Sequence, residues 1–308
     1  MDDIRTIACN DGHVMYYRVW LPEGQEVKAT LHILHGMAEH SARYDRFASY
    51  LAGHGFAVYC QDHRGHGLTA TKNNEKLGFL APSHGWKLIA EDSSLLDDVI
   101  TQDFPSAPLF LLGHSMGSFL ARTVMVQHSD VFSGVVIMGT GASKGILGWV
   151  GKKIAQSHVR RFGADHTDNQ LDKMSFASYL KKIPDHKTQF DWLSRDEAEV
   201  QKYIADPWCG FVCTSSFFVD LLDGISFAND PKRIATLPKD LPLLFISGDA
   251  DPVGDWGKGV KDAFSLYQDA GISDVSLKLI PGDRHEVLNE TDRDDTQALL
   301  RSWMEERI

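Results

Sequence analysis

The segment FLLGHSMGSFLARTV (residues 110–124) places a serine between two glycines, where an apolar run gives way to a helical pattern. G-x-S-x-G at a strand-to-helix junction is typical of a sharp turn that exposes the serine hydroxyl above a sheet. Gly113 and Gly117 allow the close backbone approach that such a turn requires. We therefore predict Ser115 as a nucleophile and the amide of Met116 as a donor to an oxyanion. The alternative is a glycine-bounded turn with an incidental serine.

A serine hydroxyl needs a base to activate it, and the base needs an orienting acid. Two later apolar runs supply candidates, since Asp249 and Asp251 follow PLLFISG and His285 follows SLKLIPG. Open α/β sheets gather their chemistry at the carboxyl ends of the strands, which favours a triad of Ser115, Asp251 and His285. Asp249 is the less favoured acid, because it directly follows the last glycine of its strand and can shape the turn instead. Asp283 is expected to brace the loop of His285.

The chain contains 14 histidines, so position rather than residue type selects the base. His114 adjoins the serine but should leave the turn in another direction, and His63 and His66 of DHRGHG are expected to hold loops through hydrogen bonds. The loop HGMAEHSARY follows the third strand, where a second oxyanion donor is expected. Met37 occupies that position, and its amide is predicted as the donor. The alternative is a tight His-Gly turn that opens a helix.

Apolar runs alternate with amphipathic stretches through most of the chain. This alternation predicts an α/β fold, with an eight-stranded, mostly parallel sheet that carries helices on both faces. The first two strands follow one another without a helix, so that end of the sheet is expected to be antiparallel. The predicted strands are 5–10, 13–21, 29–36, 56–62, 108–115, 133–139, 242–248 and 276–282, and the predicted helices are 44–55, 88–104, 116–128, 258–270 and 292–306.

The alternation stops at about residue 143 and resumes near 235. We predict that residues 143–235 form a helical cap, inserted into a catalytic domain made of residues 1–142 and 236–308. Within the cap, residues 144–161 hold basic side chains and no acidic one, beside several large apolar residues. This pattern predicts contact with an anionic lipid surface. The alternative is a cap helix whose apolar side lies on the catalytic domain. The basic residues are Lys144, Lys152, Lys153, Arg160 and Arg161.

Composition narrows the class of protein. The chain of 308 residues has 42 acidic against 31 basic side chains and a net charge of −11, which argues against a nucleic-acid partner. Its start, MDDIRTIACN, lacks the apolar region of a secretory signal, and no run approaches the ~18 apolar residues that span a bilayer. The four cysteines are too few for a disulfide scaffold, and CGFVC lacks the partners of a zinc site. We predict a cytoplasmic protein with reduced thiols and no metal.

Five motifs, HGMAEHSARY, DHRGHG, GHSMG, SGDADPVG and RHEVLNE, together resemble the monoacylglycerol lipase and lysophospholipase branch of the α/β-hydrolases. This branch overlaps in sequence with serine aminopeptidase-like proteins, and the likeness runs from about residue 28 to the C-terminus. It implies that Glu39 and Arg43 lie near the polar head of the substrate. His114, next to the serine, is a further candidate for substrate binding. Two positions depart from the pattern. Leu288 stands where animal monoacylglycerol lipases carry a second histidine, which weakens the expectation of glycerol recognition, and Ser118 stands where a glycine is common.

The resemblance and the predicted triad imply a serine hydrolase of single-acyl esters, such as monoacylglycerols or lysophospholipids, that needs no metal or organic cofactor. One alternative is an amide or peptide hydrolase, which would hold a free α-amine through an acidic group of the cap. The other alternative is a receptor-like α/β-hydrolase that binds a small ligand with little turnover. The acidic candidates for the amine site are Asp220, Asp223 and Glu197.

Overall fold

A computed structural model describes residues 3–308 and confirms the predicted eight-stranded, mostly parallel sheet. The strand order is β1-β2-β4-β3-β5-β6-β7-β8. β1 and β2 are antiparallel, as are β2 and β4, and every other pair of neighbours is parallel. The strands are β1 (Asp3–Ala8), β2 (Val14–Trp20), β3 (Ala29–Leu34), β4 (Phe56–Gln61), β5 (Leu109–His114), β6 (Phe132–Met138), β7 (Leu243–Gly248) and β8 (Val275–Ile280).

Burial explains why the central strands have continuous apolar sequences. Every residue of β3, β4, β5 and β7 is buried, because helices cover both faces of a parallel sheet. Successive side chains of a strand point to opposite faces. In β5, Leu109 and Leu111 therefore pack in the core on one face, whereas Phe110 and Leu112 pack in the core on the other. The edge strand β1 is largely exposed.

Eleven helices lie within residues 3–308, together with two short 3₁₀ segments at Ser41–Tyr44 and Ser129–Val131. All five predicted helices are present, and α2 is an additional one that the sequence analysis did not identify. The helices are α1 (Asp45–Ala52), α2 (Gly67–Lys72), α3 (Gly85–Asp103), α4 (Met116–Gln127), α5 (Gly145–Phe162), α6 (Asn169–Phe176), α7 (Glu197–Ala205), α8 (Ser215–Ala228), α9 (Pro231–Ile234), α10 (Lys258–Asp269) and α11 (Arg293–Glu305).

The stretch between β6 and β7 contains α5 to α9, and its β-structure in the described chain is an isolated bridge between Thr167 and Thr214. α5 packs on α8, which in turn packs on α3 and α4 of the sheet-bearing part. We keep the word cap for residues 143–235. Among residues 3–308, no helix combines the length and the apolar character needed to cross a bilayer.

Candidate active site

The turn between β5 and α4 has the strained geometry that the motif predicts. Ser115 has φ 55° and ψ −118°, an unfavourable conformation for a residue with a side chain. Both flanking glycines are required by space, because a Cβ added to Gly117 would lie 2.0 Å from the Leu34 carbonyl oxygen, and one added to Gly113 would lie 2.1 Å from the Gly117 oxygen. Strain of this kind costs on the order of 1–3 kcal/mol and persists only where the surroundings enforce it.

Hydrogen bonds fix the backbone of this turn. The Ser115 amide donates to the Met138 carbonyl oxygen at the end of β6, over 2.9 Å. The hydroxyl of Ser118 donates to the Ser115 carbonyl oxygen over 2.6 Å. Ser118, which departs from the glycine common at this position, therefore supports the turn in this chain. Within residues 3–308, no hydrogen bond involves the Ser115 hydroxyl itself, which leaves it available to a substrate.

The loops after β7 and β8 bring an acid and an imidazole together. His285 Nδ1 lies 2.9 Å from Asp251 Oδ2, and both side chains are buried. Asp251 also accepts from the Ser247 hydroxyl at 3.1 Å and from the Val253 amide at 2.8 Å. Its competitor Asp249 instead accepts from the Gly282 amide at 2.7 Å, the turn-shaping role considered for it from the sequence.

The imidazole of His285 lies at the same edge of the sheet as the serine. Its ring centroid is 4.7 Å from that of His114, the residue before Ser115. A Cβ added at Gly139, directly after the strand end that accepts the Ser115 amide, would lie 3.1 Å from His285 Cε1. On its other side the ring lies 5.2 Å from that of Trp192, a cap residue. The structure thus places the three predicted residues at one edge of the sheet, where β5, β7 and β8 end.

The two predicted oxyanion donors flank the serine. Met116 is the first residue of α4, where an amide has no intrahelical acceptor. Met37 lies in the turn after β3, and a Cβ added at the preceding Gly36 would lie 3.1 Å from Ser115 Cβ. The neighbouring amides are engaged, since Gly36 donates to Glu39 Oε1 at 2.5 Å and Ala38 donates to His66 Nε2 at 3.3 Å. In the described part of the chain, the Met37 amide makes no hydrogen bond.

Glu39, Arg43 and His114 form a buried network with Glu286, a residue that the sequence analysis did not single out. The Arg43 guanidinium donates to both Glu286 oxygens, at 2.6 and 2.7 Å, and to Glu39 Oε2 at 2.7 Å. His114 Nδ1 lies 3.0 Å from Glu39 Oε1, which also accepts from the Tyr44 hydroxyl. Burial by itself would raise the pKa of Glu39, but Arg43 and His114 outweigh it and hold that pKa well below its ordinary value.

A small cavity lies beside this network and is lined also by Met138 and Leu288. Its volume is about 20 Å³, which is space for roughly one water molecule. A larger cavity of about 90 Å³ lies among polar residues of the cap and near Arg284, and none of the predicted catalytic residues lines it.

His63 and His66, together with the adjacent His35, hold loops in place. Burial lowers the pKa of His35 to about 3 and that of His66 to about 4, so both rings are neutral near neutral pH. His35 Nε2 accepts from the His63 amide at 3.1 Å, and His63 Nε2 lies 3.2 Å from the His35 carbonyl oxygen. Asp283 is buried, accepts from Arg195, and through its carbonyl oxygen accepts from the Ala250 amide at 2.9 Å. It therefore ties the loop of His285 to that of Asp251.

Of the three acidic residues considered for an amine site, two are paired with lysines and one is buried. Asp220 packs against the start of α3, where a Cβ added at Gly85 would lie 2.4 Å from its Oδ2, and burial raises its pKa to about 7. Asp223 pairs with Lys152, and Glu197 pairs with Lys187. These contacts give no support to a site for a free α-amine.

A sheet of this order, with a serine on the strained turn after β5 and an acid–imidazole pair after β7 and β8, defines an α/β-hydrolase. A family model described as "Serine aminopeptidase, S33" matches residues 25–292, and the chain belongs to this hydrolase family.

Relatives of known name agree with this assignment. The chain is 28% identical to the monoglyceride lipase of Mus musculus, over 99% of this chain and 91% of that protein. It is 27% identical to the monoacylglycerol lipase of Mycolicibacterium smegmatis, over 94% of this chain and 91% of that protein. A solved structure of a thermostable carboxyl esterase from Bacillus coagulans, in complex with glycerol, is similar with a TM-score of 0.91 and 26% identity, covering 99% of this chain and 98% of that one.

Proposed function

We propose that the protein is a serine hydrolase that cleaves carboxylic esters of single-acyl lipids, with monoacylglycerol as the typical substrate. The observation that carries the proposal is the hydrogen bond between His285 Nδ1 and Asp251 Oδ2, 2.9 Å long, at the edge of the sheet that carries the strained serine. The names of the relatives, which are monoglyceride and monoacylglycerol lipases, support the choice of substrate.

In the first half of the proposed reaction, Ser115 Oγ attacks the ester carbonyl carbon while His285 Nε2 takes the hydroxyl proton. The carbonyl oxygen becomes an oxyanion, which the amides of Met37 and Met116 stabilise. The intermediate then expels the alcohol, which receives the proton from His285, and the acyl group stays on Ser115. Asp251 holds the imidazole in the tautomer that leaves Nε2 free to accept.

In the second half, a water molecule gives a proton to His285 Nε2 and attacks the acyl-enzyme carbonyl. The same two amides stabilise the second oxyanion. Collapse of this intermediate releases the carboxylic acid and returns the proton to Ser115. The cycle consumes one ester and one water, and all its proton transfers pass through His285.

A group of aromatic cap residues supports an acyl chain as the ligand. Trp192, which lies against His285, stacks on Phe176 with ring centroids 5.9 Å apart, and it contacts the Tyr179 ring at 5.0 Å. Aromatic side chains bring a large apolar area to a site. An acyl chain that leaves the serine along these rings would bury methylene groups, each contributing about 0.8 kcal/mol.

A substrate panel tests this proposal. We expect kcat/KM for p-nitrophenyl esters to rise at least about tenfold from acetate to octanoate, because two buried methylenes already account for a factor of this size. We expect no hydrolysis of aminoacyl p-nitroanilides. Initial rates with purified protein measure both, beside release of fatty acid from a monoacylglycerol and from a lysophospholipid. Cleavage of the anilides at rates comparable with the esters would favour the peptidase alternative, and no turnover of any member would favour the receptor-like one.

We also propose that α5 docks on an anionic lipid surface. Its first half exposes large apolar side chains, with Ile146 at 82%, Leu147 at 78% and Trp149 at 62% exposure. Basic side chains follow on the same helix, and Lys153 lies over the Trp149 ring at 5.6 Å. Apolar residues beside cations are typical of a helix that lies in a membrane interface. The alternative, an apolar side packed on the catalytic domain, does not account for these three exposed residues.

Co-sedimentation with vesicles measures this docking. We expect the protein to bind phosphatidylcholine vesicles that contain phosphatidylglycerol, and to bind pure phosphatidylcholine vesicles more weakly because the basic residues then lose their partners. Trp149→Ser should reduce the bound fraction several-fold. Ile204→Ser, which removes a 43% exposed apolar side chain from another helix, is the matched control and should bind like the parent. Equal binding by both variants and the parent, or no binding by the parent, would contradict the docking proposal.

A further inference from the structure

Hydrogen bonds join the cap to the turn that carries the predicted oxyanion donor Met37. They are made by the peptide groups of Ala38, directly after Met37. The Ala38 carbonyl oxygen accepts from the Tyr203 hydroxyl at 2.9 Å and from the Gly210 amide at 3.0 Å. Tyr203 belongs to α7, and Gly210 follows that helix in the cap. On the other side, the Ala38 amide donates to His66 Nε2 at 3.3 Å.

The conformation of Ala38 requires such support. Its φ of 53° lies in the left-handed region, which costs an alanine roughly 1–2 kcal/mol relative to the ordinary regions. A strained conformation of this kind persists only where contacts with neighbouring groups stabilise it. Because the Met37 amide and the Ala38 residue share one turn, a change at Ala38 re-aims the Met37 N–H.

The hydroxyl of Tyr203 is held in place by packing. Its ring is buried, lies under the Arg43 guanidinium at 4.8 Å, and contacts the Phe190 ring at 5.1 Å. A second contact joins the same two regions, since His40 Nε2 lies 2.9 Å from Asp206 Oδ2. The cap segment 203–210 and the turn therefore meet through several bonds, all outside the predicted triad.

We propose that Tyr203 is a positioning residue for oxyanion stabilisation, and that the Met37 amide is correctly aimed only while cap segment 203–210 is seated on the turn. The inference rests on the proposed function, because it assigns a cap requirement to the same site. Displacement of this segment would lower transition-state stabilisation while Ser115 and the His285–Asp251 pair kept their places. Displacement of the cap segment would then lower kcat while KM changed little.

Tyr203→Phe tests the inference, since it removes the hydroxyl and retains the ring. We expect kcat on a p-nitrophenyl ester to fall about 10- to 100-fold, less than the loss of a whole oxyanion donor, with KM changed less than about twofold. The inhibition constant of an alkyl trifluoromethyl ketone should rise by a similar factor. That ketone forms a hemiketal with Ser115 whose oxyanion occupies the same hole, so it reports transition-state complementarity.

Tyr59→Phe is the matched control. Its hydroxyl donates to Asp103 over the same 2.9 Å, but the pair lies away from the site, so it reports the general effect of losing one tyrosine hydrogen bond. If Tyr203→Phe leaves kcat and the ketone constant at the Tyr59→Phe values, the inference is overturned. If Tyr203→Phe unfolds at too low a temperature to assay, Asp206→Asn, which weakens the contact with His40, replaces it. We then expect a smaller fall in kcat with unchanged KM. An unaltered kcat in Asp206→Asn would also overturn the inference.

Failure of the proposed function would look different. In that case Ser115→Ala would retain hydrolysis, or the parent would not form the ketone adduct. If the parent forms the adduct, Ser115→Ala is inactive and Tyr203→Phe is unaffected, only the cap requirement is overturned. The proposed function then stands.

Discussion

Ser115→Ala is expected to abolish ester hydrolysis, with kcat reduced about a million-fold to the level that binding and the oxyanion donors alone can sustain. Without Oγ no acyl-enzyme forms, and a water molecule would have to attack the ester directly. Initial rates on p-nitrophenyl octanoate measure the loss. A fluorescent fluorophosphonate, which labels an activated serine covalently, should mark the parent and leave the variant unmarked.

The fold of this variant should be intact. The Ser115 hydroxyl makes no hydrogen bond within residues 3–308, and alanine has no greater difficulty than serine at φ 55°. We expect equal melting temperatures by circular dichroism. Ser94→Ala is the matched control, because the Ser94 hydroxyl likewise has no hydrogen-bond partner within residues 3–308, and Ser94 is a buried residue of α3. Labelling that persists in Ser115→Ala, or that disappears in Ser94→Ala, would contradict the assignment of the nucleophile.

The parts of this molecule that the sequence predicts are those that local chemistry determines. The unbroken apolar run predicts strand β5. The glycines predict the turn after it, and no other residue could replace them because an added Cβ would lie about 2 Å from a backbone oxygen. The helix α2 was missed because GLTATK has no apolar periodicity. The Asp62 carboxylate contributes to its position by accepting from the Leu68 amide at 2.7 Å, and it also accepts from the Ser41 amide at 2.7 Å.

The parts that the sequence does not predict depend on contacts between distant segments. Glu286 adjoins the predicted base, yet its bonds to Arg43 span 243 residues. The bond from Tyr203 to Ala38 spans 165 residues. Each side chain is ordinary in its own neighbourhood, and only the packing of the cap on the sheet brings it to its partner. The resemblance indicates that Glu39 and Arg43 lie near the substrate head, and the structure adds that Arg43 donates to both Glu39 and Glu286.

The choice between Asp249 and Asp251 illustrates the same limit. Both residues follow β7 and both could accept a hydrogen bond, so residue type and order allow either. The three-dimensional arrangement separates them, because Asp251 meets His285 and Asp249 meets the Gly282 amide. This geometry makes a second large effect predictable.

Asp251→Asn is expected to lower kcat about 10⁴-fold while KM changes little. Asp251 accepts from the Val253 amide through Oδ1, and from Ser247 and His285 through Oδ2. An asparagine that keeps the Val253 bond turns its NH₂ group toward His285. The Nδ1 atom must then accept rather than donate, which leaves the proton on Nε2. An imidazole in that tautomer cannot take the proton of Ser115.

Asp249→Asn is the matched control, because it makes the same chemical change two residues away. The asparagine oxygen can still accept from the Gly282 amide, so kcat should remain within a few-fold of the parent. Single-turnover measurements of acylation by a p-nitrophenyl ester report the proton-transfer step directly for both variants. The opposite ranking, with Asp249→Asn inactive and Asp251→Asn close to the parent, would move the acid to Asp249. Equal activity of both would mean that the imidazole needs no carboxylate to hold its tautomer, contrary to the mechanism derived from the 2.9 Å bond.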